Sequence, residues 1–538
     1  MKKYGYSILI SFFVFISSTS FSQSGTITFN NTVLHEIRIQ FTYSTWFDSL
    51  ETDFNLNLND PDDSIPEKEF LCNMVFDGIA LDSIGMRERG NFSNFSAPLT
   101  NSNGLKKPFK LDFNAYLKQS FDGLKELNLN NGTDDPGFNR EALVYKLIRE
   151  QGIPACRTSY AKLFVNDVYW GLYELVENVD KTFLKDHFGA ANNDGNLYKT
   201  DRNAGVDLTW LGLDAESYED QGLLLKTNDS LNDWSKFLNF VNIINHTQPG
   251  NMEKALSDVF DVESYLSILA VEVVCYSWDS YWGGGNNFYL YEHPDGKIRW
   301  IPWDFNETFT TKNGLLGLIL PKQSDIFLST RFDIRPLLRA IFSVRKWQDL
   351  YMEKLCSLCT SSYSSPILAP QLIEWQNLVR PALAADANAL GSMQSFESSL
   401  TTDVDNAYNI PGNNIGFNIE VPGLLPYITK QRKWVVDQIN FQGGYCNLDV
   451  EPSEYEMNLY PNPAIDEITI SWSQFTSNIY QLSVYNSMGI KVKTTDWIVN
   501  NEQTDKFNVG TLPVGFYILR KQDADGFWSD AKFLKHQK

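Results

Sequence analysis

Apolar and polar positions follow three rhythms along this chain, and the changes of rhythm divide it. From residue 24 to about 85, short apolar runs at 27–29, 35–42 and 70–76 are parted by polar turns, which predicts strands. In the run 106–113, Phe109, Leu111 and Phe113 fall on one face and Lys110 and Asp112 on the other, a strand that presents a lysine opposite its apolar side. The period then lengthens: Leu143, Leu147 and Ile148 share a helical face over 139–151, with Glu141 in the first turn and Gly152 and Pro154 as the stop. Two further strands, 160–165 and 169–176, meet at Asn166-Asp167, a hairpin signal. A helix opens at 177–180 and runs through Leu184, and 195–199 is a short strand ending on Lys199. From about 230, apolar residues recur at three and four positions over 233–244, 262–278, 336–359 and 427–440, predicting helices. Residues 443–455 are rich in Gly, Pro and acid and form a linker. Beyond it, runs at 468–472, 480–485, 490–492 and 515–519 predict a small β-sandwich.

One stretch interrupts the helical part. Residues 279–308 begin with Asp279, pass three consecutive glycines and the Asn286-Asn287 pair, and enter the apolar run 288–291. A turn at Pro294-Asp295-Gly296 leads to a second run, 298–303, which delivers Asp304, Asn306 and Glu307. Loop, strand, turn, strand, loop gathers oxygen side chains at the open end of a hairpin. That suits a hard cation, since magnesium takes one or two carboxylates plus waters and phosphates. A surface hairpin with ordinary polar loops fits the same pattern. The polarity of the two halves further suggests a ligand cleft between a β-rich N-terminal part and a helical C-terminal part.

Composition narrows the classes. The chain has 538 residues, 43% hydrophobic and 14% aromatic, enough for two to four packed domains. A net charge of −21 excludes the basic footprint of a nucleic-acid binder. Lys2-Lys3, an apolar run at 8–16 and small residues at Ser20 and Ser22 read as a signal peptide over 1–22. No later run reaches the length of a membrane span, so the mature chain is expected to be exported without a transmembrane segment. Cys156 and Cys275 lie among apolar residues and read as buried thiols. Cys356 and Cys359 have metal-type spacing but lack a second ligand pair, so zinc is disfavoured; the compartment permits a disulfide. The acidic loop 60–63 does not match a calcium-binding loop.

Two resemblances add to this reading. The motifs Leu459-Tyr-Pro-Asn-Pro-Ala464, Val484-Tyr-Asn-Ser-Met-Gly489, Leu512-Pro-Val-Gly-Phe-Tyr517 and the basic end 532–538 resemble the type A sorting domain of the type IX secretion system of Bacteroidetes. Residues 456–538 are assigned to it, and type IX machinery is the implied partner. Over 24–442 the chain resembles the CotH family of atypical protein kinases. The carrying motifs are Arg87-Glu-Arg-Gly-Asn-Phe-Ser93, Lys106-Lys-Pro-Phe-Lys110, Asn139-Arg-Glu-Ala-Leu-Val-Tyr145 and Gly152-Ile-Pro-Ala-Cys-Arg157. They continue with Tyr169-Trp-Gly-Leu-Tyr-Glu174, Gly195-Asn-Leu-Tyr-Lys199, Asn286-Asn-Phe-Tyr-Leu-Tyr291 and Ile301-Pro-Trp-Asp-Phe305.

The second resemblance implies an α+β, two-lobed kinase-like fold with a β-rich N-lobe and a helical C-lobe. It also implies ATP and Mg2+ as cofactors and phosphoryl transfer to Ser or Thr of an exported or cell-surface protein. It assigns Asp279 to the acceptor hydroxyl, Asp304 and Asn287 (Asn286 less well) to the metal, and Lys110 to the phosphates, with Lys107 and Lys199 behind it. Glu141 would pair with that lysine, and the backbone from Glu174 to Glu177 would meet adenine. Where the family often has a second aspartate this chain has Asn306, which removes a charge; Glu307 stands next to it. Two other classes stay open: a degenerate kinase-fold module that binds surface polymers or partners, and a carbohydrate-active hydrolase.

Overall fold

A computed structural model of the chain describes residues 23–536 apart from 60–64, 91, 96, 101–103, 201–204, 311–324, 411–414, 449–456, 473–478, 487–490, 496–497, 500–503 and 524–527. The signal-peptide region, the acidic loop 60–63 and most of the linker therefore lie outside the described residues. The protein is mixed α and β, with a β-rich N-terminal region, helices in the middle and all-β sheets at the C-terminus.

The N-terminal strands are β1 (Leu34–Gln40), β2 (Phe70–Phe76), β3 (Ile79–Glu88), β4 (Phe109–Asp112), β5 (Glu126–Asn130), β6 (Thr158–Val165) and β7 (Val168–Glu177). They close into a barrel in the order β1-β2-β3-β4-β5-β7-β6, sealed by parallel pairing of β6 with β1. Alternate residues fill it, among them Ile37, Met74, Phe76, Met86, Phe109, Leu111, Leu127 and Leu175. Closure leaves Lys110 on the outer side of β4, as the alternation predicts. The β6–β7 turn places Asn166 and Asp167 at φ +47° and +64°, the left-handed pair that a tight hairpin needs.

Two expectations fail here. Residues 27–29 form a turn rather than a strand, because Asp122 captures the amides of Ile27 and Thr28. Residues 46–58 form a helix, α1 (Trp46–Leu58), whose Trp46, Leu50 and Phe54 are buried at i, i+4 and i+8.

Then come α2 (Arg140–Glu150), α3 (Lys181–Phe188) with Asp180 as N-cap, α4 (Ser235–His246) and α5 (Val262–Val274). The predicted single helix over 336–359 is two, α6 (Pro336–Phe342) and α7 (Arg345–Thr360). They part where the Ser343 hydroxyl donates back to Ala340 O at 2.7 Å. α8 (Ser365–Ala384) and α9 (Leu424–Phe441) follow, with shorter helices at Glu216–Asp220, Pro249–Ser257 and Met393–Ser398. Among these helices lies a four-stranded antiparallel sheet of β8 (Leu197–Thr200), β9 (Leu223–Leu225), β10 (Phe288–Glu292) and β11 (Ile298–Pro302), in the order β11-β10-β8-β9. The polar hairpin of the sequence is thus half of a larger sheet, and Lys199 pairs with Tyr289 across it. A disulfide joins Cys356 on α7 to Cys446 beyond α9, while Cys72, Cys156, Cys275 and Cys359 are buried free thiols.

The C-terminal part has two antiparallel sheets, one of Met457–Tyr460, Glu467–Trp472 and Thr504–Asn508, the other built on Ile479–Asn486, Gly515–Asp523 and Trp528–Lys535. Ile468, Ile470, Leu482, Val484, Leu519 and Phe533 form their shared core. Among the described residues no helix is long and apolar enough to cross a membrane.

Candidate functional site

Asp279 stands on a tightly wound turn that follows α5. Gly284 N–H donates to Trp278 O at 2.9 Å and Gly285 N–H to Ser280 O at 3.0 Å. A Cβ at Gly283 would lie 1.8 Å from Trp278 O, so only glycine fits there. Two arginines fix the outer carbonyls: Arg331 donates to Trp282 O and Gly283 O at 3.0 and 2.7 Å, and Arg335 to Gly283 O at 2.7 Å and to Tyr281 O. The loop is therefore held from outside while its acid points inward. Asn287 Nδ2 donates to Asp279 Oδ2 at 2.8 Å and to Asp279 O at 3.1 Å; Asn286 Nδ2 approaches Oδ1 at 3.4 Å. Binding through its nitrogen turns the Asn287 amide oxygen away from Asp279.

The β10–β11 ladder brings Asp304 to the same place. Phe288 pairs with Pro302, and Trp303 N–H donates to Asn287 O at 3.1 Å, the last rung. There both chains leave the ladder, and Asn287 and Asp304 each take φ +59°. A left-handed conformation costs a non-glycine residue about 1–2 kcal/mol, so packing must hold it. Helix α2 supplies that hold from one face. Tyr145 Oη accepts Asp304 N–H at 3.1 Å, and the Tyr145 and Phe305 rings meet edge to face at 5.1 Å. Residues 141 and 145 are one helical turn apart, on one face of α2.

Asp279, Asn286, Asn287, Asp304, Asn306 and Glu307 line one cleft of about 1390 Å³, together with Lys110 and Lys199. Burial and the nearby Asp304 charge push the Asp279 carboxyl up to about 7. Burial raises Asp304 too, opposed by Arg89 and Lys199. Glu307 is held well above the usual carboxylate range by burial and by Asp279, Asp134 and Asp304. On the cationic side, burial and then Arg89, Lys226 and Lys110 push Lys199 down to about 7. The cleft thus holds acids short of positive charge beside cations short of negative charge.

Other predicted residues fall elsewhere. Lys107 is buried on Asn94 Oδ1 at 2.9 Å, away from the cleft. Lys110 reaches the cleft but pairs with Glu126 at 2.9 Å, so the expected Lys110–Glu141 pair does not form. Glu141 accepts from Asn130 Nδ2 at 2.7 Å instead, and burial with the Asp304 charge pushes it up to about 8. Glu174 and Glu177 are buried and do not line the cleft. Their backbone is committed to β5 on one side and β6 on the other, and Glu177 pairs with Arg157. The cleft is met directly after them, by 178–182. Asn306 lines the cleft but donates to Thr133 O at 3.3 Å. The sequence reading left out Arg89, which lines the cleft beside the Trp303 ring at 5.7 Å. Its signal was present in the Arg87-Glu-Arg-Gly motif, where alternation puts Arg87 and Arg89 on one face.

Among the described residues no group of three His, Cys, Asp or Glu side chains could hold a metal ion by itself. The donor set is nevertheless suited to a hard cation that also binds a ligand's phosphates: recessed carboxylates with raised affinity for positive charge, and a buried Asn286 Oδ1 without a hydrogen-bond donor.

Comparison with known proteins places the chain. The family model described as CotH kinase protein matches residues 86–435, more than half of the chain. The secretion system C-terminal sorting domain matches 458–535. Among curated relatives, Invasin CotH2 of Rhizopus delemar is 24% identical over 216 residues, which is 38% of this chain and 34% of that protein. Inner spore coat protein H of Bacillus subtilis is 27% identical over 207 residues, covering 38% and 55%. Invasin CotH7 of Rhizopus delemar is 26% identical over 189 residues, covering 33% and 29%. The chain thus spans about a third to a half of the length of the curated relatives it matches.

Proposed function

The chain belongs to the CotH kinase protein family and ends in a secretion-system sorting domain that marks it for secretion or the cell surface, and on that premise we propose that it is a protein kinase acting outside the cytoplasm. The barrel and the helical region act as the two lobes of a kinase-like fold, with the cleft as the nucleotide site. The acceptor is Ser or Thr of an exported or surface protein, and the donor is ATP with Mg2+.

One observation carries this reading: Asp279, Asn287 and Asp304 stand together in a cleft that also holds Arg89 and Lys199, which have no carboxylate partner among the described residues. Phosphoryl transfer needs positioning and charge neutralisation more than covalent help from the protein. Asp279, with affinity for a proton near neutrality, orients the acceptor hydroxyl and takes its proton at Oδ. Asp304, the Asn287 oxygen and, more weakly, Asn306 would hold Mg2+, and Glu307, whose proton is held by burial and the neighbouring acids, would supply the charge that Asn306 lacks only on giving up that proton to the bound cation. The bound metal would neutralise phosphate charge. Lys199 neutralises phosphate in preference to Lys110, whose charge Glu126 already cancels. The backbone of 178–182 meets the base, in place of 174–177. The cleft exceeds the roughly 300–1,000 Å³ of ordinary ligand pockets and leaves room for an acceptor segment.

The test is transfer of the γ-phosphate of labelled ATP to exported proteins in the presence of Mg2+ and then of EDTA. Mg2+-dependent labelling supports the reading; absence of both labelling and ATP binding by wild type ends it. A second reading, a kinase-fold module that binds without transferring, rests on Asn306, whose amide is spent on Thr133 O. It also suits relatives named for invasion and the spore coat. ATP binding without transfer would favour it.

A further inference from the structure

The network behind Asp304 extends in the other direction, to a side chain that the family resemblance did not assign. Glu141, one helical turn before the Tyr145 that accepts Asp304 N–H, itself accepts from Asn130 Nδ2 at 2.7 Å. Asn130 Oδ1 in turn accepts from Arg89 Nη1. A hydrogen-bonded line therefore runs from Glu141 on α2 through Asn130 on β5 to a guanidinium on the cleft wall.

We infer that Arg89, oriented by Glu141 through Asn130, is the side chain that grips the nucleotide phosphates, in the place expected of the β4 lysine. The inference rests on the nucleotide-binding reading above and deepens it. Its physical core is the amide spacer. Most cations on the cleft wall near β3 and β4 are cancelled by direct carboxylates: Arg87 by Glu67 and Glu69 at 2.7 and 3.0 Å, and Lys110 by Glu126 at 2.9 Å. Arg89 has no carboxylate partner among the described residues; it is held by a neutral amide, which fixes its direction and leaves its charge for an incoming anion. One Nη1 hydrogen bond still leaves further N–H groups in a planar fork, the geometry that matches phosphate oxygens two at a time.

Position agrees with this. Arg89 follows the end of β3, its N–H donates to Pro108 O at 3.1 Å, and its guanidinium lies beside the ring of Trp303, the residue before Asp304. Its field acts on both Asp304 and Lys199. A phosphate between Arg89 and Lys199 would stand next to the carboxylate proposed for the metal. Hydrogen-bonded to Asn130 and one helical turn from Tyr145, Glu141 acts as a positioning residue for Arg89 on the helix that also holds Asp304.

The full chain tests this by calorimetry with two probes, ATP with Mg2+ and adenosine, which shares the base and lacks phosphate. Arg89→Ala should weaken ATP by about tenfold or more, the range of a lost charge-assisted contact, while adenosine stays near its wild-type affinity. Arg89→Lys should fall between, because a point charge replaces a fork. Asn130→Ala should lower the ratio of ATP to adenosine affinity, a readout that general loosening of the barrel would not move. Lys346→Ala, a surface change outside the cleft, should leave that ratio unchanged. Unchanged ATP affinity in Arg89→Ala overturns the assignment, and so does a parallel loss of ATP and adenosine. If Arg89→Ala fails to fold, Arg89→Lys with wild-type ATP affinity overturns it equally. Wild type that binds ATP while Arg89 variants bind it as well removes only Arg89; wild type that binds neither probe removes the kinase reading too.

Discussion

Asn287 and Asp304 leave the two strands of one hairpin at its last rung, each with φ +59°, and turn toward the same cleft. The left-handed backbone is what converts a strand end, where side chains would continue to alternate across the sheet, into a place where an amide and a carboxylate converge. Tyr145 on α2 holds one side of this arrangement and the Asp279 carboxylate holds the other.

That conformation makes a stability prediction. Asn287→Gly and Asn287→Ala both lose the donors to Asp279, but only alanine must also bear the left-handed backbone. Denaturant unfolding should find Asn287→Ala less stable than Asn287→Gly by about 1 kcal/mol. Equal stabilities would mean that the turn relaxes when the amide is gone.

A second prediction concerns pH. Glu272 on α5 is buried with only the Ser280 hydroxyl as donor, at 3.1 Å, and burial pushes its carboxyl from 4.5 up to about 8. Its proton is thus held more tightly in the folded chain than in the unfolded one. The protonated group costs nothing below about pH 4.5; stability then falls as pH rises toward 8, because the unfolded state ionises first. Glu272→Gln should gain stability relative to wild type between pH 5 and pH 8, measured by denaturant unfolding at each pH. A constant difference across that interval would refute the assignment.

The disulfide yields a third. Cys356 and Cys446 are 90 residues apart and tie α7 to the chain that follows α9. Reduction, or Cys356→Ser with Cys446→Ser, should lower stability by about 2–5 kcal/mol. Cys359→Ser should leave the cross-link intact, and non-reducing peptide mapping should still recover the Cys356–Cys446 pair. Recovery of a Cys359–Cys446 pair instead would contradict the pairing.

Much of this was legible in the residues, and the gaps have physical causes. The hairpin from Phe288 to Pro302, the Asn166-Asp167 turn and the outward Lys110 follow from alternation and turn chemistry, which are local. The neighbours of Lys110 and Lys199 were not legible: Glu126 cancels one and the β8–β10 pairing delivers the other beside Tyr289, and both depend on chain segments far apart in sequence. The same holds for Glu141, whose partner turned out to be Asn130 and not a lysine. Helix α8 escaped the sequence reading with Pro370 and Pro381 inside it, residues that break an isolated helix and that only tertiary packing overrides.

The central claim is that Asp279 and Asp304 serve one transfer site in different capacities. The direct measurement compares Mg2+-dependent ATP binding and labelled phosphate transfer for wild type, Asp279→Asn and Asp304→Asn, each shown to be folded. Asp279→Asn should keep ATP binding and lose transfer by about 10²–10⁴-fold. Asp304→Asn should lose the Mg2+ dependence of ATP binding together with transfer. Transfer at the wild-type rate by either variant would contradict the account.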